Sequence, residues 1–368
     1  MKSNKRLGGV EPHSSFGDCS GNTTNSGADS ISSKTTDMRS IRTDLTLEAH
    51  ELIKEKAVRE NASQGQGLPG VEVENAGNDE IRITRVRVTS PTGEAAIGKP
   101  MGNYITLEVP GLRDNDQVLY ENTCKALATE LVSILKLEEK STILVVGLGN
   151  WNVTPDALGP KVVSSIMVTR HLLEYLPDQV DEGVRLVCAV APGVLGITGI
   201  ETGEIIRGIV DRIKPNFIIA IDALASRKME RVNTTIQIAD TGIAPGSGVG
   251  NKRMELSRET LGIPVIAIGV PTVVDAATMA NDTIDLVLDS MIEQAPQGTE
   301  FYNMMKGIDR DEKYSMIQQV LEPYVGNLIV TPKEIDEVVR KISKVVANGL
   351  NIALHQGITL NDVNRYVN

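Results

Sequence analysis

Phe217-Ile218-Ile219-Ala220-Ile221-Asp222-Ala223-Leu224-Ala225-Ser226-Arg227 decides the fold class of this chain. Five apolar residues run without a polar break and end on a carboxylate. A short apolar run closed this way has the form of a strand buried on both faces. Strands of that kind belong to parallel sheets covered by helices. The same form recurs on either side, at Ile143–Val146, Arg185–Val190 and Val265–Val270. Each run is closed by Gly, Pro or Asp, and helical stretches separate them. The chain therefore reads as an α/β fold, a mainly parallel sheet with helices on both faces, its core spanning about 116–290. Residues 234–240 add a further, less buried strand.

Toward the N-terminus the pattern changes. Ile81–Val88 and Tyr104–Val109 alternate with period two, which predicts half-exposed strands in a small additional β region at about 71–110. Residues 116–138 read as a helix. Residues 1–44, rich in Ser, Thr, Asn and Gly, read as a largely disordered tail ahead of one domain over 45–368. Structure is expected from Arg42–Glu48 onward, with a short helix through His50 and Ile53 and a Gly-rich break at 63–70. Residues 291–312 read as a weak linker. In the C-terminal helical region, about 312–368, Thr331-Pro332-Lys333-Glu334 reads as a capping box with Pro at the first helical position. Apolar residues from Ile335 to Val346 follow at helical spacing. No internal repeat is present.

Composition narrows the function classes. With aromatics at only 3% of 368 residues, the core must be built from Val, Ile, Leu and Ala. A net charge of −11 argues against non-specific binding to nucleic acid or anionic membranes. The three cysteines, Cys19, Cys124 and Cys188, form no CxxC pair, which suggests a reducing cytosol. Cys188 reads as a small core residue. No run approaches the roughly 18–20 apolar residues of a membrane span, and no signal-type apolar stretch opens the chain. A cytoplasmic protein is expected.

In open parallel sheets, ligands bind beyond the carboxyl ends of the strands. The loop Val145–Pro160 follows one such end. Its glycines, Gly147 and Gly149, permit a tight turn. Thr154-Pro155-Asp156 reads as a helix start, which puts Asp156 in the first turn; that position suits a carboxylate for stability as well as for chemistry. Asp222 closes its strand directly. A carboxylate at a buried strand end needs a partner or a role, and Arg227 is the plain structural partner. Two such acids can hold a water, share a proton or bind a metal. Between them, Ala191–Thr202 offers glycines whose backbone N–H groups suit a ligand, or an ordinary turn.

Other motifs carry less. Asp240-Thr241-Gly242 matches the short signature of pepsin-like proteases, but that fold is all-β; Asp240 is kept only as a residue lining the site. Gly246–Arg253 (GSGVGNKR) resembles a phosphate loop yet fits neither nucleotide pattern. His13, His50, His171 and His355 form no metal spacing. His171 reads as structural or supporting. No serine occupies a G-x-S-x-G elbow.

Taken together, GLGNWNVTPDALGP, APGVLGITGIET, IDALASR, VNTTIQIADTGIAPGSGVGNKR and IAIGVPTVVDA resemble the germination protease family of endospore-forming bacteria. The resemblance runs from about Arg42 to about Leu354. It implies an endopeptidase that starts the hydrolysis of small acid-soluble spore proteins during germination, in the spore core. It also implies a tetramer, made as a self-processing zymogen. The family's two essential aspartates match Asp156 and Asp222. Its fold is similar to that of hydrogenase maturation peptidases, in which two acids and a histidine surround a metal. Ile238–Gly248, where that histidine should fall, has none, so no metal or other cofactor is expected. The family's processing bond, acidic then hydrophobic, matches Asp44-Leu45 within Arg42–Glu48, a stretch that also looks like the substrates' cleavage site. Gly147, Gly149, Asn150, Gly193, Thr198, Gly199, Asp240 and Gly242 are expected around substrate or oxyanion. The rivals are a metallopeptidase using Asp156, Asp222 and Asp240, and a nucleotide-binding protein using Gly246–Arg253.

Overall fold

The computed structural model describes residues 43–59, 68–246, 253–325 and 328–367, apart from positions 139, 177, 179 and 182. Most of the expected tail, of the Gly-rich break and of GSGVGNKR lies outside the described residues.

Nine strands are present among the described residues: β1 (Val71–Gly77), β2 (Arg82–Val88), β3 (Gly102–Glu108), β4 (Thr142–Gly147), β5 (Leu186–Val190), β6 (Phe217–Ser226), β7 (Thr235–Ala239), β8 (Val265–Asp275) and β9 (Ile329–Val330). The helices begin with α1 (Thr46–Arg59), α2 (Pro91–Ile97), α3 (Gln117–Leu135), α4 (Leu158–Val163), α5 (Arg170–Tyr175), α6 (Leu195–Thr198) and α7 (Thr202–Ile213). They continue with α8 (Arg258–Leu261), α9 (Ala276–Gln294), α10 (Glu300–Lys306), α11 (Arg310–Val325), α12 (Ile335–Leu354) and α13 (Leu360–Val367).

All nine strands form one mixed sheet in the order β1-β2-β3-β7-β8-β6-β4-β5, with β9 pairing β8. β5, β4, β6 and β8 are mutually parallel. The strand period of two explains the helices on both faces. Ile143, Val145, Ile219 and Ile221 pack with α3, α4 and α12, while Leu144, Val146, Ile218 and Ala220 pack with Ile206 and Val210 of α7. α3 ends where Lys136 turns into the left-handed region. Its start is capped by Asp116, which accepts from the N–H groups of Val118 and Leu119.

The expected N-terminal β region is the β1–β3 meander, and β3 pairs with β7, so it continues the main sheet. Two helices cover one of its faces, burying Val86, Val88 and Tyr104 with Ile97. The strand expected to be less buried, β7, is fully buried, because it is an inner strand between β3 and β8. The expected linker at 291–312 carries the end of α9, all of α10 and the start of α11. Thr331 does not cap a helix. Its hydroxyl donates to the Thr272 carbonyl, and α12 begins later, at Ile335, with no side-chain cap.

Candidate active site

Chain order and spatial order part company around β4. The chain goes from β4 to β5 on one side, then to β6 on the other. This reversal opens a crevice at the carboxyl end of β4, where doubly wound sheets bind ligands. β4 stops at Gly147, paired with Ile221, whereas β6 runs on to Ser226. Asp222 is therefore the first β6 residue past the end of β4.

The loop after β4 brings Asp156 to the same crevice. Val153 leads into a single 3-10 turn, Thr154–Asp156, rather than the α-helix start expected there. Thr154 does not cap it; its hydroxyl donates to Asp336 at 2.8 Å. The Asp156 carboxylate instead accepts from the Asn150 N–H at 2.8 Å, folding the loop back on itself. Gly149 makes this possible. Its φ is +110°, and a Cβ there would lie 2.0 Å from the Asp156 carbonyl oxygen.

Burial dominates the electrostatics. It raises the pKa of Asp156, with the Asn150 N–H and Arg253 pulling the other way. Asp222 is 6% exposed, and burial pushes it well above the usual carboxylate range. The charge of Asp156 adds to that rise, and the Ala223 N–H opposes it. Arg227, the expected partner, is not one. Its guanidinium pairs with Glu55 and Asp282, both remote from Asp222 in sequence. A buried acid, Asp222, and a half-buried one, Asp156, thus share one site without a dedicated counter-ion each, and the charge of Asp156 bears on Asp222.

Both line a cavity of about 550 Å³. Gly149, Gly193 and Gly242 line it too, with Lys99, Gln237 and Arg253. Other expected residues fall elsewhere. Gly147 serves close packing: a Cβ on it would lie 2.3 Å from the Gly159 carbonyl oxygen. The Asn150 N–H is taken by the Asp156 carboxylate and carbonyl. Thr198 and Gly199 lie exposed at the end of α6, Thr198 bonded to Ile200. Asp240 accepts from the Asn103 N–H and side-chain amide at 2.8 and 2.6 Å, which turns it to β3. That removes the third acid of the metal reading. No group of three His, Cys, Asp or Glu with metal-ligand geometry gathers among the described residues. His171 is exposed on α5 and supports nothing here.

Asp44 also enters the cavity. Its N–H donates to the Ala225 carbonyl at 3.0 Å, and its carboxylate accepts from the Ala225 N–H at 2.9 Å. Leu45 behind it is wholly buried. The carboxylate is near enough to add to the rise at Asp222.

The sequence model of the germination protease family matches residues 46–295 and 289–367. The chain belongs to the germination protease family. A germination protease of Clostridium tetani is 57% identical over 329 residues, covering 89% of this chain and all of that protein. One from Clostridium acetobutylicum is 57% identical over 334 residues, 90% of this chain and all of the relative. A more distant one, from Halalkalibacterium halodurans, is 45% identical over 89% of this chain and 96% of its own length. The chain is therefore a peptidase. No helix among the described residues is long and apolar enough to cross a membrane.

Lys99, Gln237 and Arg253 escaped the sequence reading. Gln237 had a readable signal, a polar residue inside the apolar strand TTIQIA. Lys99 and Arg253 had none, since they reach the cavity only through loop geometry.

Proposed function

We propose that the chain is an endopeptidase that cleaves after an acidic residue and before a hydrophobic one, and that it opens the degradation of small acid-soluble spore proteins at germination. The observation that carries this reading is the pair Asp156, half-buried, and Asp222, buried, lining one cavity at the reversal point of the sheet. Asp222 is the deeper acid and its pKa is pushed up further by its neighbour's charge, so it holds the proton. Asp156, anchored by the Asn150 N–H, is the ionised partner. Asp156 takes a proton from water as that water attacks the peptide carbonyl. Asp222 donates toward the carbonyl oxygen, and a proton then passes to the leaving amine.

The leader fits the same reading. Residues 1–44 act as a propeptide whose last residue occupies the cavity through Ala225, and the chain removes it at Asp44–Leu45. The tetramer implied by the resemblance belongs to this proposal as well. Full-length chain is incubated and the cut followed by mass spectrometry. Asp156→Asn and Asp222→Asn should each slow cleavage at Asp44–Leu45, and of an acidic-site peptide, by about 10²–10⁴. Near-normal cleavage by either variant would sink the reading.

A further inference from the structure

The Asp44–Leu45 peptide is gripped at its carbonyl. That oxygen accepts from Lys99 Nζ at 3.0 Å and from Gln237 Nε2 at 3.4 Å. Gln237 straddles the bond, because its Oε1 accepts the Thr46 N–H at 2.7 Å. One side chain thus fixes the backbone before and after Leu45. The left-handed Gly98, φ +70°, ends α2 and turns the next residue, Lys99, into the cavity.

The surroundings of Lys99 are informative. Among the described residues its ammonium makes no other hydrogen bond and no ion pair within 4.0 Å. A lysine present only to balance charge would sit on the nearby carboxylates. Instead the Asp44 carboxylate accepts from the Ala225 N–H, and Glu48 is met by the N–H groups of Arg227 and Lys228 and by the Arg231 guanidinium. Lys99 points its charge at a neutral peptide oxygen. Burial lowers its pKa, and Asp44 and Glu48 partly restore it. Lys99 is half-buried, and a partly desolvated cation gains little from a neutral carbonyl and more from an oxyanion in the same place.

We propose that Lys99 is a catalytic residue of this site: it binds the carbonyl oxygen of the bond to be cut and stabilises the negative charge that oxygen acquires. This rests on the endopeptidase reading above. Water oxygen bonds to the Asp44 carbonyl carbon, losing one proton to the ionised acid. The C=O electron pair moves onto the oxygen beside Lys99. Collapse of the adduct restores C=O and breaks the C–N bond. The proton taken from water returns to the Leu45 nitrogen as that bond breaks, giving a carboxylic acid and an amine; the acid's proton then passes to the amine, leaving an α-carboxylate on Asp44 and an ammonium on Leu45. An interaction that strengthens only as charge develops raises the rate rather than ground-state binding.

The test uses full-length chain and follows the first-order appearance of the Leu45 N-terminus, with Asp222→Asn as the blank. Lys99→Met should cut on the order of 10²–10³ more slowly than wild type while keeping its fold by circular dichroism. Lys99→Arg, which keeps a cation, should recover part of that loss. With an acidic-site peptide as substrate, the loss in the folded variants should fall on kcat rather than on KM, a split that a packing role would not produce. If Lys99→Met does not fold, Lys99→Gln decides by the same rate criterion. Wild-type speed in the folded variant, with the blank inactive, overturns the role of Lys99 and leaves the endopeptidase reading standing. A wild-type chain that cuts neither itself nor an acidic-site peptide overturns both.

Discussion

Asp222 is held in a state that costs the fold something. Burial, then the charge of Asp156, keep its proton on above the pH at which the unfolded chain would release it. In that window the native state binds more protons than the unfolded state, so stability falls as pH rises through it. Asp222→Asn removes the titrating group while still offering an oxygen to the Ala223 N–H. The variant should melt higher than wild type at neutral pH, and the two melting curves should converge as pH drops toward about 4, the ordinary carboxylate range. A lower melting temperature at neutral pH would mean that Asp222 has a stabilising partner. At this scale the sequence was readable in part. A carboxylate after five apolar residues announces itself. That Arg227 would turn instead to Glu55 and Asp282 depended on where α1 and α9 lie, which no local pattern encodes.

Among the elements, α1 shows how the segment after Asp44 is held. Glu48 and Glu51 on one face of α1 meet Arg231, which also pairs with Glu108 of β3. Glu48 is wholly buried and Arg231 is 5% exposed. Truncating one partner of such a cluster strands a charge, so Arg231→Met should cost about 3–5 kcal/mol in urea unfolding. A cost below about 1 kcal/mol would mean that water replaces the lost guanidinium. Acid should loosen the same helix. For Glu51, burial pushes the pKa up, but hydrogen bonds from Arg231 and Lys228 and their charges outweigh it, lowering the value from 4.5 to about 2. The stability it contributes is present above 4.5 and is lost as pH falls toward 2. The sequence showed a helix through His50 and Ile53 but not its anchors, since the acids of α1 and the basic residues after β6 are about 180 positions apart.

For the whole molecule, the consequential fact is that the β1–β3 meander and the parallel core share one sheet. Ile105 and Leu107 of β3 pack in the same core as Ile219 and Ile221 of β6. Leu107 is completely buried, and Leu107→Ala should cost about 2–5 kcal/mol. Because the core is shared, the variant should still unfold in one transition, read alike by far-ultraviolet circular dichroism and by loss of cleavage. Two separated transitions would show that the meander folds as its own unit.

The four parallel strands, the helices between them and the two acids at strand ends were legible from residue order, because burial on both faces demands continuous apolar runs and a carboxylate interrupting one stands out. The family was legible for the same reason, from long motifs around those strand ends. Tertiary structure decided the rest. Whether β7 is inner or edge, whether the meander joins the sheet, and which backbone N–H groups are already taken all depend on pairings across long stretches of chain. Thr154 and Thr331 looked like helix caps and found other partners, because a hydroxyl bonds to whatever packing brings near. Lys99 and Gln237 meet the Asp44 carbonyl only after α2, β7 and the N-terminal segment converge, so their chemistry had no local signature to read.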